Sequence, residues 1–165
     1  WSQPGRGTTF DIFLPRAEGA AAPAAVVRQP DLPPQGTETV LLVEDEPSVR
    51  FLAAEVLRRQ GYTVLEAANG EEALRVGHEH RGEEISLLLT DVVMPQMGGR
   101  ELAECLEPLM PRMKVLFTSG FLDELVFQEA ALDPGFFFIP KPFAPKELTR
   151  KVRELLDRDL SDGRP

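Results

Sequence analysis

The chain has 165 residues and a formal charge of −9, with 18 Lys and Arg against 27 Asp and Glu. That length suits one domain of ordinary size plus some excess chain, and the charge argues against a nucleic-acid-binding surface, which needs clustered cations. No apolar run approaches the ~20 residues needed to cross a bilayer, so no direct membrane contact is expected. Nor is a secretory leader expected, and the lone Cys105 excludes an intramolecular disulfide, which together favour a reducing, cytoplasmic compartment.

In chain order, Phe10, Ile12 and Leu14 alternate as a half-buried strand would, and they are expected to close a domain cut off upstream. Residues 16–37 are rich in Ala, Pro and Gly, cannot bury a core, and read as a linker. From residue 38 strand and helix patterns alternate. The run Val40-Leu41-Leu42-Val43 predicts a strand over 39–44 that is covered on both faces. Val49, Leu52, Ala53, Val56 and Leu57 recur at helical spacing, and Gly61 marks the stop.

A second strand is predicted over 62–67, then a helix capped by Asn69 and carrying Ala73, Leu74 and Val76. The central strand covers 85–90, with Asp91 at its end. Leu102, Cys105, Leu106 and Leu109 mark the next helix, which assigns Cys105 a packing role. Strand four covers 113–118, a helix with Leu122, Leu125, Val126 and Ala130 follows, strand five covers 136–139, and Leu148, Val152, Leu155 and Leu156 line the last helix. His78 and His80 lie two apart, hence on different faces, and read as a solvated helix end. Five such units form a doubly wound α/β sheet flanked by five helices.

Glu44 and Asp45, Asp91, Ser119 and Lys141 each follow one of these strands. Parallel strands bring their C-termini to one edge, so three carboxylates, a hydroxyl and an ammonium should share one crevice. Two carboxylates ~5 Å apart repel by ~3 kcal/mol at an effective dielectric of ~20, so a proton or a cation must intervene. Small, hard Mg²⁺ takes oxygen ligands and keeps waters, leaving room for phosphoryl oxygens. Thr118 is a rival to Ser119, because adjacent strand residues point to opposite faces.

Glu44-Asp45-Glu46, Thr90-Asp91-Val92-Val93-Met94-Pro95, Phe117-Thr118-Ser119-Gly120 and Lys141-Pro142-Phe143 together resemble the receiver domain of bacterial response regulators, over residues 38–160 with 161–165 as a tail. The resemblance implies a flavodoxin-like, five-stranded parallel sheet of order 2-1-3-4-5 like that of the chemotaxis regulators. It implies Asp91 as phosphoacceptor, and Mg²⁺ held by Asp45, Asp91 and the Val93 carbonyl, with Glu44 on a metal-bound water. It further implies a cis Lys141-Pro142 peptide, Lys141 and Ser119 on the phosphoryl group, and a switch through Ser119 and Phe138, where many relatives carry Tyr.

Gly5-Arg6-Gly7-Thr8-Thr9-Phe10 resembles the last stretch of a histidine-kinase ATPase domain, so residues 1–15 are expected to be its remnant and the parent protein a hybrid histidine kinase. On this likeness the fragment catalyses its own phosphorylation and dephosphorylation without being a turnover enzyme. Val93 and Phe121, two residues beyond Asp91 and Ser119, are expected to restrict attacking water. Only Ser161–Pro165 follow the last helix, so the expected output is phosphotransfer or a regulatory contact.

The expected partner is a histidine kinase or a histidine phosphotransfer protein, meeting the last two helices and strand five, with a homodimer as a further arrangement. Two other classes compete: a Mg²⁺-dependent phosphohydrolase on a similar sheet, and a phosphorylation-independent interaction domain. Apolar Val93, where such hydrolases often carry a second acid, counts against the first.

Overall fold

Backbone pairing of the apolar runs builds the architecture of this computed structural model, which describes residues 1–13, 36–80, 84–120 and 136–158. The chain divides into two units, Trp1–Asp31 and Leu32–Pro165. In the first, β1 (Ser2–Gln3) pairs antiparallel with β2 (Gly7–Thr8), and Arg6 N–H donates to Gln3 O at 2.9 Å across the turn. The strand expected through Phe10 and Ile12 is absent: residues 9–13 form no regular element, and Phe10 and Ile12 are exposed. Alternation gives a strand only where a neighbour takes up its backbone groups, and here the pairing goes to Ser2–Gln3 instead. Leu14 lies outside the described residues.

In the second unit, β3 (Thr39–Val43), β4 (Thr63–Ala67), β5 (Ile85–Asp91), β6 (Lys114–Ser119) and β7 (Phe137–Pro140) form one parallel sheet of order β4-β3-β5-β6-β7. Numbered within the sheet this is 2-1-3-4-5, as the resemblance implied. Helices α1 (Pro47–Arg59), α2 (Gly70–Glu79), α3 (Gly99–Leu106) and α4 (Pro145–Leu156) are the four among the described residues. The additional helix expected around 122–130 falls outside them. No helix of the described residues is long and apolar enough to cross a membrane.

Alternate residues of the inner strands feed two cores, which is why those strands read as unbroken apolar runs. Val40, Leu42, Leu89, Leu116 and Ile139 pack with Ala54 and Leu57 of α1 and Leu148 and Val152 of α4. Leu41, Val43 and Leu88 pack with Ala73 of α2 and Leu102 and Leu106 of α3. Asn69 Oδ1 accepts from Glu72 N–H at 2.9 Å, and Glu72 Oε2 accepts from Ala68 N–H at 2.7 Å, closing the start of α2. Gly61, at φ +94°, ends α1 where a Cβ would meet Gly36 O at 2.5 Å. His80 is more than solvated: it closes the end of α2, with Nδ1 2.9 Å from Val76 O.

Cys105 is exposed rather than packed. The buried stripe of α3 runs Gly99, Leu102, Leu106, taking the i+4 step where the i+3 step would have buried the cysteine.

Candidate phosphoacceptor site

The carboxyl edge of the sheet gathers the polar residues. Glu44 and Asp45 follow β3, Asp91 ends β5, Ser119 ends β6, and Lys141 follows β7. Register places Asp91 beside Thr118 and Ser119 beside Pro140. The loop from β7 is tied to β6 by Lys141 N–H donating to Ser119 O at 2.7 Å, and the Lys141-Pro142 peptide is cis. Behind Asp91, α3 starts so close that a Cβ on Gly99 would lie 2.2 Å from Asp91 O, so only glycine admits this approach.

Ligating atoms of Glu44, Asp45 and Asp91 lie within 4.8 Å of one another. Glu44 and Asp91 are buried, Asp45 exposed. Lys141 Nζ donates to Glu44 Oε2 at 2.5 Å and to Asp91 Oδ2 at 2.6 Å. The other Asp91 oxygen, Oδ1, accepts from Val93 N–H at 3.1 Å. Burial pushes the Glu44 carboxyl above its ordinary value, against the hydrogen bond and charge of Lys141. Burial also works to neutralise Lys141, but hydrogen bonds and charges from Asp91 and Glu44 outweigh it and hold the ammonium above its usual range.

One ammonium among three carboxylates leaves the cluster negative, and every available donor is oxygen. That chemistry fits a hard divalent cation. The carboxylates that would hold it are those Lys141 now engages, plus Asp45.

Of the other expected site residues, Ser119 is buried at the end of β6, and Val93 is 64% exposed beside Asp91. Phe138 is half-buried on β7, its ring centroid 6.5 Å from that of Phe136. The Thr118 hydroxyl is buried and has no hydrogen-bond partner among the described residues. Phe121 lies outside the described residues.

Arg50, which the sequence patterns did not single out, reaches back from α1 and donates from Nη1 to Glu44 O at 2.5 Å. Its signal was a single cation near the start of α1 after three consecutive acids, Glu44 to Glu46, in a helix whose pattern otherwise shows an apolar stripe.

A model of the response regulator receiver domain matches residues 40–153. The chain is 42% identical, over 95% of its length, to the sensor kinase CckA of Brucella abortus (strain 2308), of which it spans only 17%. It is 32% identical over 71% of its length to the response regulator receiver protein CpdR of the same organism, spanning 95% of that protein. Among solved structures, it is similar to the receiver domain of the hybrid histidine kinase CckA, at a TM-score of 0.61 and 39% identity, covering 72% of this chain and 99% of that one. A CheY-like receiver domain protein from Methanospirillum hungatei JF-1 gives 0.62 and 32%, covering 74% and 95%. With the fold and the acidic crevice already in place, this match over more than half its length assigns the chain to the response regulator receiver family, as the receiver domain of a two-component signalling protein.

Proposed function

We propose that this receiver accepts a phosphoryl group from a phosphohistidine onto Asp91 and belongs to a hybrid histidine kinase. The observation that carries the phosphoacceptor reading is Asp91 itself, a buried carboxylate at the end of the central strand, held by Lys141 and clustered with Glu44 and Asp45. A carboxylate oxygen of Asp91 attacks phosphorus, the phosphorus–nitrogen bond breaks, and the imidazole leaves with the electron pair. Lys141 positions the nucleophile before transfer and neutralises charge on the phosphoryl oxygens during it; Ser119 donates a hydrogen bond to the product. Glu44, Asp45, Asp91 and the Val93 carbonyl are the groups to hold Mg²⁺, Glu44 through a water. When bound, the ion supplies charge neutralisation for the transferring group.

Aspartyl phosphate adds charge and three acceptor oxygens to the crevice. Shifting a conformational equilibrium from 1:99 to 99:1 takes ~5.5 kcal/mol, while one charge-assisted hydrogen bond contributes ~1.5–3 kcal/mol. Ser119 and Lys141 therefore act together, with Phe138 following Ser119.

The match to a sensor kinase over 95% of the chain includes residues outside 40–153. This supports residues 1–15 as the end of a kinase ATPase domain, 16–37 as linker, 38–160 as receiver and 161–165 as tail. Partners on this reading are a histidine kinase or a histidine phosphotransfer protein, in the cytoplasm of a bacterium.

The test is incubation with acetyl phosphate and Mg²⁺. Stoichiometric acid-stable, base-labile labelling that disappears in Asp91→Asn supports the reading. Multiple turnover favours a phosphohydrolase, and absence of labelling favours an interaction domain that works without phosphorylation.

A further inference from the structure

We infer that Arg50 is a positioning residue for the metal-binding turn: it holds the Glu44–Asp45 peptide so that the Asp45 carboxylate stays within reach of Asp91. The inference rests on the metal-site reading above. Asp45 is the exposed member of the acidic cluster, so where its carboxylate lies depends heavily on its main chain. The peptide preceding it carries the Glu44 carbonyl, and Arg50 Nη1 donates to that oxygen at 2.5 Å. On its other side the turn is tied to the neighbouring strand, Glu44 N–H donating to Ala67 O at 3.2 Å. The two bonds clamp one residue from both sides.

Within the turn, Glu46 N–H makes only a long bond to Glu44 Oε1, at 3.4 Å. Glu46 is the N-cap of α1, yet no side-chain bond caps the helix, and no acid sits in its first turn. Glu46 Oε1 instead accepts from the Ser48 hydroxyl at 2.9 Å. Arg50 holds the turn through a carbonyl, at Glu44 O.

An ordinary surface ion pair between α1 and β4 is the rival account. It explains the contact less well: Arg50 Nε lies 3.9 Å from Glu66 Oε2, whereas Arg58 meets the same carboxylate at 2.8 Å. The short contact of Arg50 is the carbonyl, and its side chain is only 19% exposed. Arg58 is thus an internal control, an α1 cation on Glu66 that does not touch the turn.

The test is Mg²⁺ titration by calorimetry on the 165-residue chain, with thermal melts beside it. Arg50→Ala should weaken Mg²⁺ binding about tenfold, equivalent to ~1.4 kcal/mol. Acetyl-phosphate labelling at saturating Mg²⁺ should change far less. Arg50→Lys, which keeps a charged donor, should recover most of the affinity, and Arg58→Ala should leave it unchanged. Should Arg50→Ala fail to fold, Arg50→Met keeps the apolar stem and reads the same quantity. A folded Arg50→Ala or Arg50→Met with wild-type affinity overturns the inference, as does an equal loss in Arg58→Ala. If the unaltered chain binds no Mg²⁺, the metal-site reading falls first and this inference with it.

Discussion

Lys141 is where stability and chemistry are most tightly coupled. Replacing it with Met keeps the side-chain volume but removes the cation that bridges Glu44 at 2.5 Å and Asp91 at 2.6 Å. The side chains of Lys141, Glu44 and Asp91 are 16%, 4% and 11% exposed, so solvent screens the loss poorly. Two carboxylates within 4.8 Å repel by ~3.5 kcal/mol at an effective dielectric of ~20, and stripping one partner from a buried pair typically costs ~3–5 kcal/mol. Burial already raises the Glu44 pKa, so proton uptake there offsets part of this cost.

A net loss of ~2–4 kcal/mol is expected in EDTA near pH 7.5, lowering Tm by roughly 10 °C. Added Mg²⁺ should restore stability, because a ligand at a hundred times its Kd adds ~2.7 kcal/mol. Without a resident ammonium to compete, the variant should bind Mg²⁺ at least as tightly as wild type while accepting phosphoryl groups more slowly. Calorimetry, EDTA-dependent melts and acetyl-phosphate labelling separate these effects. A variant that melts within ~2 °C of wild type in EDTA, or binds Mg²⁺ more weakly, would refute the reasoning.

Glu38 lies 2.8 Å from Arg153, whose hydrogen bond holds its carboxyl below the usual value against the opposing effect of burial. A depressed carboxyl contributes stability above its unfolded pKa of ~4.3 and loses it as pH falls through the folded value. Urea midpoints of wild type and Glu38→Gln should therefore differ at pH 6–7, by under ~1 kcal/mol given the partial exposure, and converge in acid. Polar replacement of Val93 together with Phe121 should speed loss of the phosphoryl group severalfold, followed as decay of label; an unchanged rate means neither side chain excludes water. Asn69→Ala removes the Oδ1 bond to Glu72 N–H and should lower the urea-derived stability by ~1 kcal/mol without altering labelling.

Among the described residues, the order of strands and helices from Thr39 to Leu156 could be read along the chain because a parallel sheet covered on both faces needs unbroken apolar runs. Gly61 and Asn69 punctuated those runs through turn and cap chemistry that acts within a few residues. Asp91 and Lys141 could be paired in advance because each ends a strand, and strand ends converge.

Contacts that depend on a particular rotation or a specific neighbour were not legible in this way. Periodicity placed Cys105 on the apolar stripe, but packing chose Leu106 one residue on. Alternation at Phe10 and Ile12 predicted a strand, but among the described residues no strand pairs with them and both are exposed. A lone cation after the acidic residues did not by itself fix that the Arg50 guanidinium turns back to the Glu44 carbonyl. Hydrophobic patterning specifies which residues leave water, whereas hydrogen-bond geometry at the crevice is decided only when separate elements dock, since those bonds form between residues with no local reason to meet.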